Sequence, residues 1–349
     1  MFKKLAAVWR WVSPVARVTI GVVLLYWLFR MTDRDEIREI ISRAVSRGWW
    51  MGAGLACTFL GIAACVVRWK YVLKVQNIHF SNWQVFHITF VGQFFNAFML
   101  GACGGDVIRA YYTVRNSASR RTEAAATIFI DRGVGLFTMI LFCCVMIPFR
   151  ITMFLDNDGP RYAGVMMLIF MVISLLGIVI LFEKNIFEHF ALFRRIEAMP
   201  KIGALLRRSY DAFFLYRGHR GVLGMAMALT LVNLGMATMA CYCFGQTLSI
   251  DLPFIDYLVL FPIINVLSAV PLTPGSLGVR EGLFVSLFGA AFVPPLQAIF
   301  LSLMVYAGGA VWSLFGGVLY VISSFQRDGI TRAAAAGWLD QPEDPPAQK

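Results

Sequence analysis

Along the chain, long apolar runs alternate with short stretches where charge collects. Val18–Phe29 lies between Arg17 and Arg30, and further runs cover about 48–67, 122–148, 163–182, 221–247 and 296–322. Runs of about 20 residues match the roughly 30 Å of bilayer hydrocarbon at about 1.5 Å rise per residue. Apolar residues in blocks, rather than in alternation, argue for helices over a barrel. The pattern predicts about six full spans. No cleavage-site pattern of small residues follows the first run, so it reads as an uncleaved helix. After it, Ile37, Ile40, Ile41, Ala44 and Val45 recur at helical spacing, predicting a short helix along the membrane surface.

Two apolar segments break this rhythm. Residues 83–100 run into Gly101-Ala102-Cys103-Gly104-Gly105-Asp106, and residues 257–293 are interrupted by Pro271-Leu272-Thr273-Pro274-Gly275. The arms Tyr257–Val270 and Leu283–Val293 are too short to cross, and irregular backbone at membrane depth is tolerated only inside protein or beside water. Both segments therefore read as re-entrant broken-helix units. They also resemble each other: Asn96, a small-residue break and Gly-x-x-x-x-Arg109 recur as Asn265, a break and Gly275-x-x-x-x-Arg280. Downstream, Arg132-Gly133-Val134-Gly135 aligns with Tyr306-Ala307-Gly308-Gly309. The expected units are 83–148 and 257–322, in inverted repeat, a pattern that points to a transporter's binding site.

Composition narrows the class. The chain has 349 residues, 59% of them apolar and 15% charged, against about 25% charged in soluble domains. Mean hydropathy is +0.70. A soluble enzyme, a disordered chain and a disulfide scaffold are excluded, leaving an all-α polytopic membrane protein. The net charge of +11 does not point to nucleic acid, because no soluble basic stretch interleaves with exposed aromatics. Instead the cations sort by side. With both termini cytoplasmic, 22 Lys and Arg fall in cytoplasmic segments and 6 in outside ones, as the positive-inside rule requires. The expectation is one membrane domain, 1–323, with a short polar, unstructured tail, 324–349, in a bacterial-type inner (plasma) membrane.

Little here suggests cofactor chemistry. Six of the seven cysteines lie in apolar runs as packing residues, and Cys103 sits in the first break. The four histidines are scattered, so no metal site is expected. No Walker A sequence occurs, and no cofactor is implied.

The ionisable residues in or beside apolar segments carry the candidate chemistry: Arg109, Arg132, Arg280, Asp106, Asp131 and Glu281. A charge at the bilayer centre costs roughly 2.5–3.5 kcal/mol on insertion scales, so each needs a partner or a wet cavity. Two readings stand. In one, the arginines bind a lipid phosphate through their planar forks while the acids hold them in place. In the other, mutual ion pairs pin the re-entrant loops. Gly104, Gly105, Gly275 and Gly278 remove side chains where backbone N–H groups would face a ligand or a neighbouring helix. Pro274 stops an arm, Gly275 suits a left-handed turn, and Asn96 and Asn265 can bond backbone freed at the breaks.

These motifs resemble a known family. Gly104-Gly105-Asp106-Val107-Ile108-Arg109, Asp131-Arg132-Gly133-Val134-Gly135 and Pro274-Gly275-Ser276-Leu277-Gly278-Val279-Arg280-Glu281 are similar, in order and over nearly the whole chain, to the flippase-like family that includes the transmembrane region of lysyl-phosphatidylglycerol synthases. The chain departs from the family at Asp131, where Glu is frequent, and at Tyr306, near which a basic residue is frequent. It also ends soon after its last helix, without the soluble synthase domain. The resemblance therefore implies translocation of a phosphate-bearing lipid, such as a phospholipid or polyprenyl-phosphate-linked lipid, rather than aminoacyl transfer. The implied partners are a membrane lipid with an anionic headgroup and a lipid-modifying or glycosyltransferase enzyme. Two alternatives stay open: an intramembrane transferase or hydrolase using Asp106 or Glu281 as base, and a non-transporting scaffold for a lipid-modifying enzyme.

Overall fold

The computed structural model describes residue 42 and residues 45–98, 104–116, 121–182, 214–269 and 278–335. Among these, every regular element is helical: α1 (Gly48–Val75), α2 (Asn82–Phe98), α3 (Gly104–Asn116), α4 (Arg121–Met146), α5 (Ile151–Asp156), α6 (Asp158–Phe182), α7 (Arg220–Thr247), α8 (Phe254–Ala269), α9 (Val279–Gly289) and α10 (Pro295–Ala335). Five stretches are long and apolar enough to cross a bilayer: Gly48–Val75, Glu123–Asp156, Asp158–Val179, Arg220–Thr247 and Pro295–Ser323. They coincide with five of the expected spans, and the chain is an all-helical, multi-pass membrane protein. The span at Val18–Phe29, the surface stripe from Ile37 to Ala44, and Cys103, Pro274 and Gly275 lie outside the described residues.

Three boundaries differ from the sequence reading. α1 runs on to Val75 because Arg68, counted as a loop cation, is neutralised inside the protein by Asp131. Between the runs at 122–148 and 163–182, where the sequence reading leaves a gap, the chain is helical. Pro148 removes one backbone donor, the chain tightens into a 3₁₀ turn over Ile147–Arg150, and α5 follows. Only Asn157 is extended before α6 begins. Finally, α10 continues past Ser324 to Ala335, through an alanine-rich stretch of high helix propensity; residues 336–349 lie outside the described residues.

The helices fall into two series of the same form: α1–α4 and α7–α10. Each opens with a 28-residue helix. An arm of 17 or 16 residues follows, then a break, a second arm of 13 or 11 residues, and a long helix. At 1.5 Å per residue the arms reach only about 16–26 Å. α1 and α7 pack along each other and run antiparallel. Arg47 at the start of α1 donates to the Gln246 carbonyl at the end of α7 (3.1 Å), Gly61 abuts Asn233 in the middle, and Arg68 donates to Thr230 (2.9 Å). Near the end of α1, Tyr216, in the turn before α7, donates to the Val72 carbonyl (2.8 Å). Burial pushes that phenol well above its ordinary range, so it remains a donor. The packing of the arms is crossed: α2 lies on α10, and α8 lies on α4.

The ends of α1 and α7 match bond for bond. Asn77 and Ser249, 172 positions apart, both adopt left-handed backbone with φ of 54° and 60°. Asn77 N–H donates to Lys74 O and Ile78 N–H to Leu73 O; Ser249 N–H donates to Gln246 O and Ile250 N–H to Gly245 O. Each pair is a Schellman cap, satisfying carbonyls that the helix leaves open.

Candidate functional site

The first break is built by backbone contact. Gly92 on α2 and Gly105 on α3 meet so closely that a Cβ on Gly105 would collide with the Gly92 carbonyl. Asn96 accepts the Gly105 N–H at 2.8 Å, the backbone-satisfying role its amide allows. This contact carries Asp106 and Arg109 to the side of α4. There Arg109 reaches Asp131 (3.3 Å) and Asp106 (3.7 Å), while Arg132 pairs with Asp106 at 2.8 Å. Asp131 is 2% exposed and also holds Arg68 with two bonds, of 2.8 and 3.1 Å. The Arg109 guanidinium lies 4.3 Å over the Trp69 ring, a face that attracts cations. Arg68 entered no sequence motif. Its only signal was its place, just past an apolar run, where topology alone accounts for a cation.

The second break is more lightly held. Gly278 takes φ +83°, and its N–H donates to Glu281 Oε2 at 2.7 Å, so the acid of the first turn closes the start of α9. The other Glu281 oxygen accepts from Arg280 (2.9 Å) and Ser302 (3.3 Å), and Arg280 Nε donates to Ser302 Oγ at 3.1 Å. Tyr306 lies under the Arg280 guanidinium at 4.8 Å. The aromatic face thus serves the arginine at a position where the resembling family is often basic.

The two breaks share one arrangement. In each, the arginine of the second arm bonds a residue 22 positions on: Asp131 for Arg109 and Ser302 for Arg280. The contacts put this correspondence three residues upstream of the Tyr306–Gly309 stretch aligned by sequence. Asp131 thereby corresponds to a serine in the second series, so Arg280 has one acidic contact where Arg109 has two.

Arg280 lines a cavity of about 410 Å³ between the two series. Its wall includes Asn96 and Asn265, the paired asparagines of the sequence repeat, with Gln93, Asn233, Thr58 and Ser313. The structure thus brings Arg280, Asn96 and Asn265 around one space. It brings Asp106, Arg109, Asp131 and Arg132 together in a separate, mostly buried network. Asn233 and Gln93 were not singled out from the sequence, where neither falls in a glycine break or a charged motif. Such a cavity supplies one guanidinium, several carboxamides that both donate and accept, and apolar rings from Phe244 and Phe261, a composition suited to binding a polar group with an anionic centre. Among the described residues, no group of three or more His, Cys, Asp or Glu is placed to hold a metal ion.

Comparison with known proteins fits this frame. The family model described as the lysylphosphatidylglycerol synthase TM region matches residues 15–316. The chain belongs to that family. Membership in the lysylphosphatidylglycerol synthase TM region makes this a membrane domain of a kind associated with lipid handling. Among its relatives are two UPF0104 membrane proteins. One, from Methanothermobacter thermautotrophicus, is 21% identical over 300 residues, covering 80% of this chain and 86% of the relative. The other, from Pyrococcus horikoshii, is 21% identical over 311 residues, covering 82% and 89%.

Proposed function

We propose that the protein moves a phosphate-bearing lipid between leaflets, with the headgroup passing through the Arg280 cavity and the tails left in the bilayer. The observation that carries this reading is Arg280 itself. It is a guanidinium in the wall of a cavity between two halves, held by one carboxylate, one hydroxyl and one ring. A phosphate can take over the Glu281 contact with two parallel bonds, and the carboxamides can serve the remaining headgroup oxygens. In this reading Arg109 and Arg132 are the corresponding cations of the other half, restrained by Asp106 and Asp131 while the site is empty.

The same reading takes 1–323 as one domain of two inverted units, in a bacterial-type inner membrane with both termini cytoplasmic. Its support is the antiparallel α1–α7 pair together with the matched caps. Two equivalent helices that cross a bilayer in opposite directions are related by an axis in the membrane plane.

The test is transport of fluorescent phospholipids and polyprenyl phosphates across liposomes containing purified protein. Arg280→Lys keeps the charge but loses the fork, and is expected to slow transport about tenfold; Arg280→Ala should abolish it. Both variants should remain monodisperse in detergent. Wild-type rates in folded Arg280→Lys and Arg109→Lys would remove the phosphate clamp and leave these arginines structural.

A further inference from the structure

At the C-terminal end of α1, a second feature lies apart from the Arg280 cavity. A groove of about 670 Å³ runs between α1 and α2, floored by Ala63, Val66, Val67 and Val85. Trp83, 62% exposed, stands at its rim. At its polar end sit Lys70 and Lys74, and the same two lysines line an adjoining pocket of about 200 Å³ that reaches His79. Neither lysine forms an ion pair with an acid among the described residues. Lys70 donates to the Asn82 side chain, and Lys74 lies 5.4 Å over the Tyr71 ring.

The other half of the molecule supplies an internal comparison. Lys70 and Asn82 stand 12 residues apart across the turn from α1 to α2. The positions 172 residues on are Tyr242 and Phe254, whose rings pack edge to face at 5.5 Å. Gln246 stands where the first half has Lys74. The fold therefore closes this junction with two aromatic rings in one half and leaves it open and cationic in the other. Packing does not require the groove.

We propose that the α1–α2 groove is a lateral binding site for an anionic phospholipid, distinct from the transport cavity and present in one leaflet only. An acyl chain lies along Val66, Val67 and Val85, and the phosphate sits between Lys70 and Lys74. Apolar floor, cationic collar and rim tryptophan occur in the order in which a phospholipid presents tail, phosphate and interface. A free phosphate has no use for the apolar floor, and a neutral lipid none for the collar. The site does not depend on the transport reading.

The experiment uses the full chain in phosphatidylcholine bilayers doped with brominated phosphatidylglycerol or brominated phosphatidylcholine. The Trp83 signal is the difference between wild type and Trp83→Phe. Half-quenching is expected at a mole fraction of phosphatidylglycerol at least about fivefold lower than of phosphatidylcholine, given roughly fivefold per lysine. Lys70→Gln with Lys74→Gln should make the two lipids equal. Val67→Trp, which fills the floor and keeps both lysines, should abolish quenching by either, read against a Trp83→Phe version of the same variant. Equal quenching in wild type, no quenching because another part of the chain covers the groove, or a preference that survives loss of both lysines would each overturn the site.

Discussion

Arg109 and Arg280 are the same residue type in matching places, yet their surroundings differ, above all at the residue 22 positions on. Asp131 gives Arg109 a buried carboxylate; Ser302 gives Arg280 a hydroxyl. A hydroxyl carries no charge, so Arg280 is balanced by Glu281 alone, and an incoming anion has one carboxylate contact to replace there against two at Arg109. Gly278 holds the start of this arm in left-handed backbone with open space around it. Gly278→Ala should therefore cost about 1 kcal/mol through strain alone, seen as a small drop in thermal stability with lipid binding kept. At this scale much was legible. Charged residues inside apolar runs must find partners, and that requirement picked out Asp106, Arg109, Asp131, Arg132, Arg280 and Glu281. Arg68 escaped because a cation at the end of a span already has an explanation in topology. Asn233 escaped because an uncharged amide in the middle of a 28-residue apolar helix carries no pattern.

Helices α2, α3, α8 and α9 are short because each ends at a break, and the breaks are held very differently. The first rests on glycine-to-glycine backbone contact and on three arginines sharing two aspartates. Asp131→Asn would leave Arg68 and Arg109 facing each other without their anion, at a cost of roughly 3–5 kcal/mol. Ser302→Ala, at the corresponding place, should cost about 1 kcal/mol. Thermal unfolding of the two variants in detergent checks the contrast, and equal losses would contradict the unequal pinning. The broken arms were readable because Gly and Pro clusters punctuate apolar runs too short to span. The extension of α10 was not, since polar residues after a span look the same whether the helix continues or stops. Nor was the membership of α1 and α7 in the two series: their buried positions do recur 172 residues apart, as at Ile62 and Leu234 or Val72 and Phe244, but in helices that are apolar nearly all round the buried face cannot be told from the lipid-facing one.

For the molecule as a whole, antiparallel α1 and α7 put the matching caps at opposite ends of the helix pair. In a protein whose natural cysteines are replaced, Asn77→Cys and Ser249→Cys should react with a membrane-impermeant maleimide from opposite sides of sealed vesicles. Reaction of both from one side would remove the inverted arrangement. The unequal pinning of the two breaks also divides labour mechanically. On the proposed transport reading, the half whose break carries the five-residue ion network is expected to stay fixed, and the half whose break rests on one carboxylate and one hydroxyl is expected to move. Local opening follows the weakest contacts, so amide hydrogens in 279–289 should exchange with deuterium faster than those in 104–116. Adding Ser302→Asp should slow the former toward the latter, since it hands the moving half the brake that its counterpart already carries.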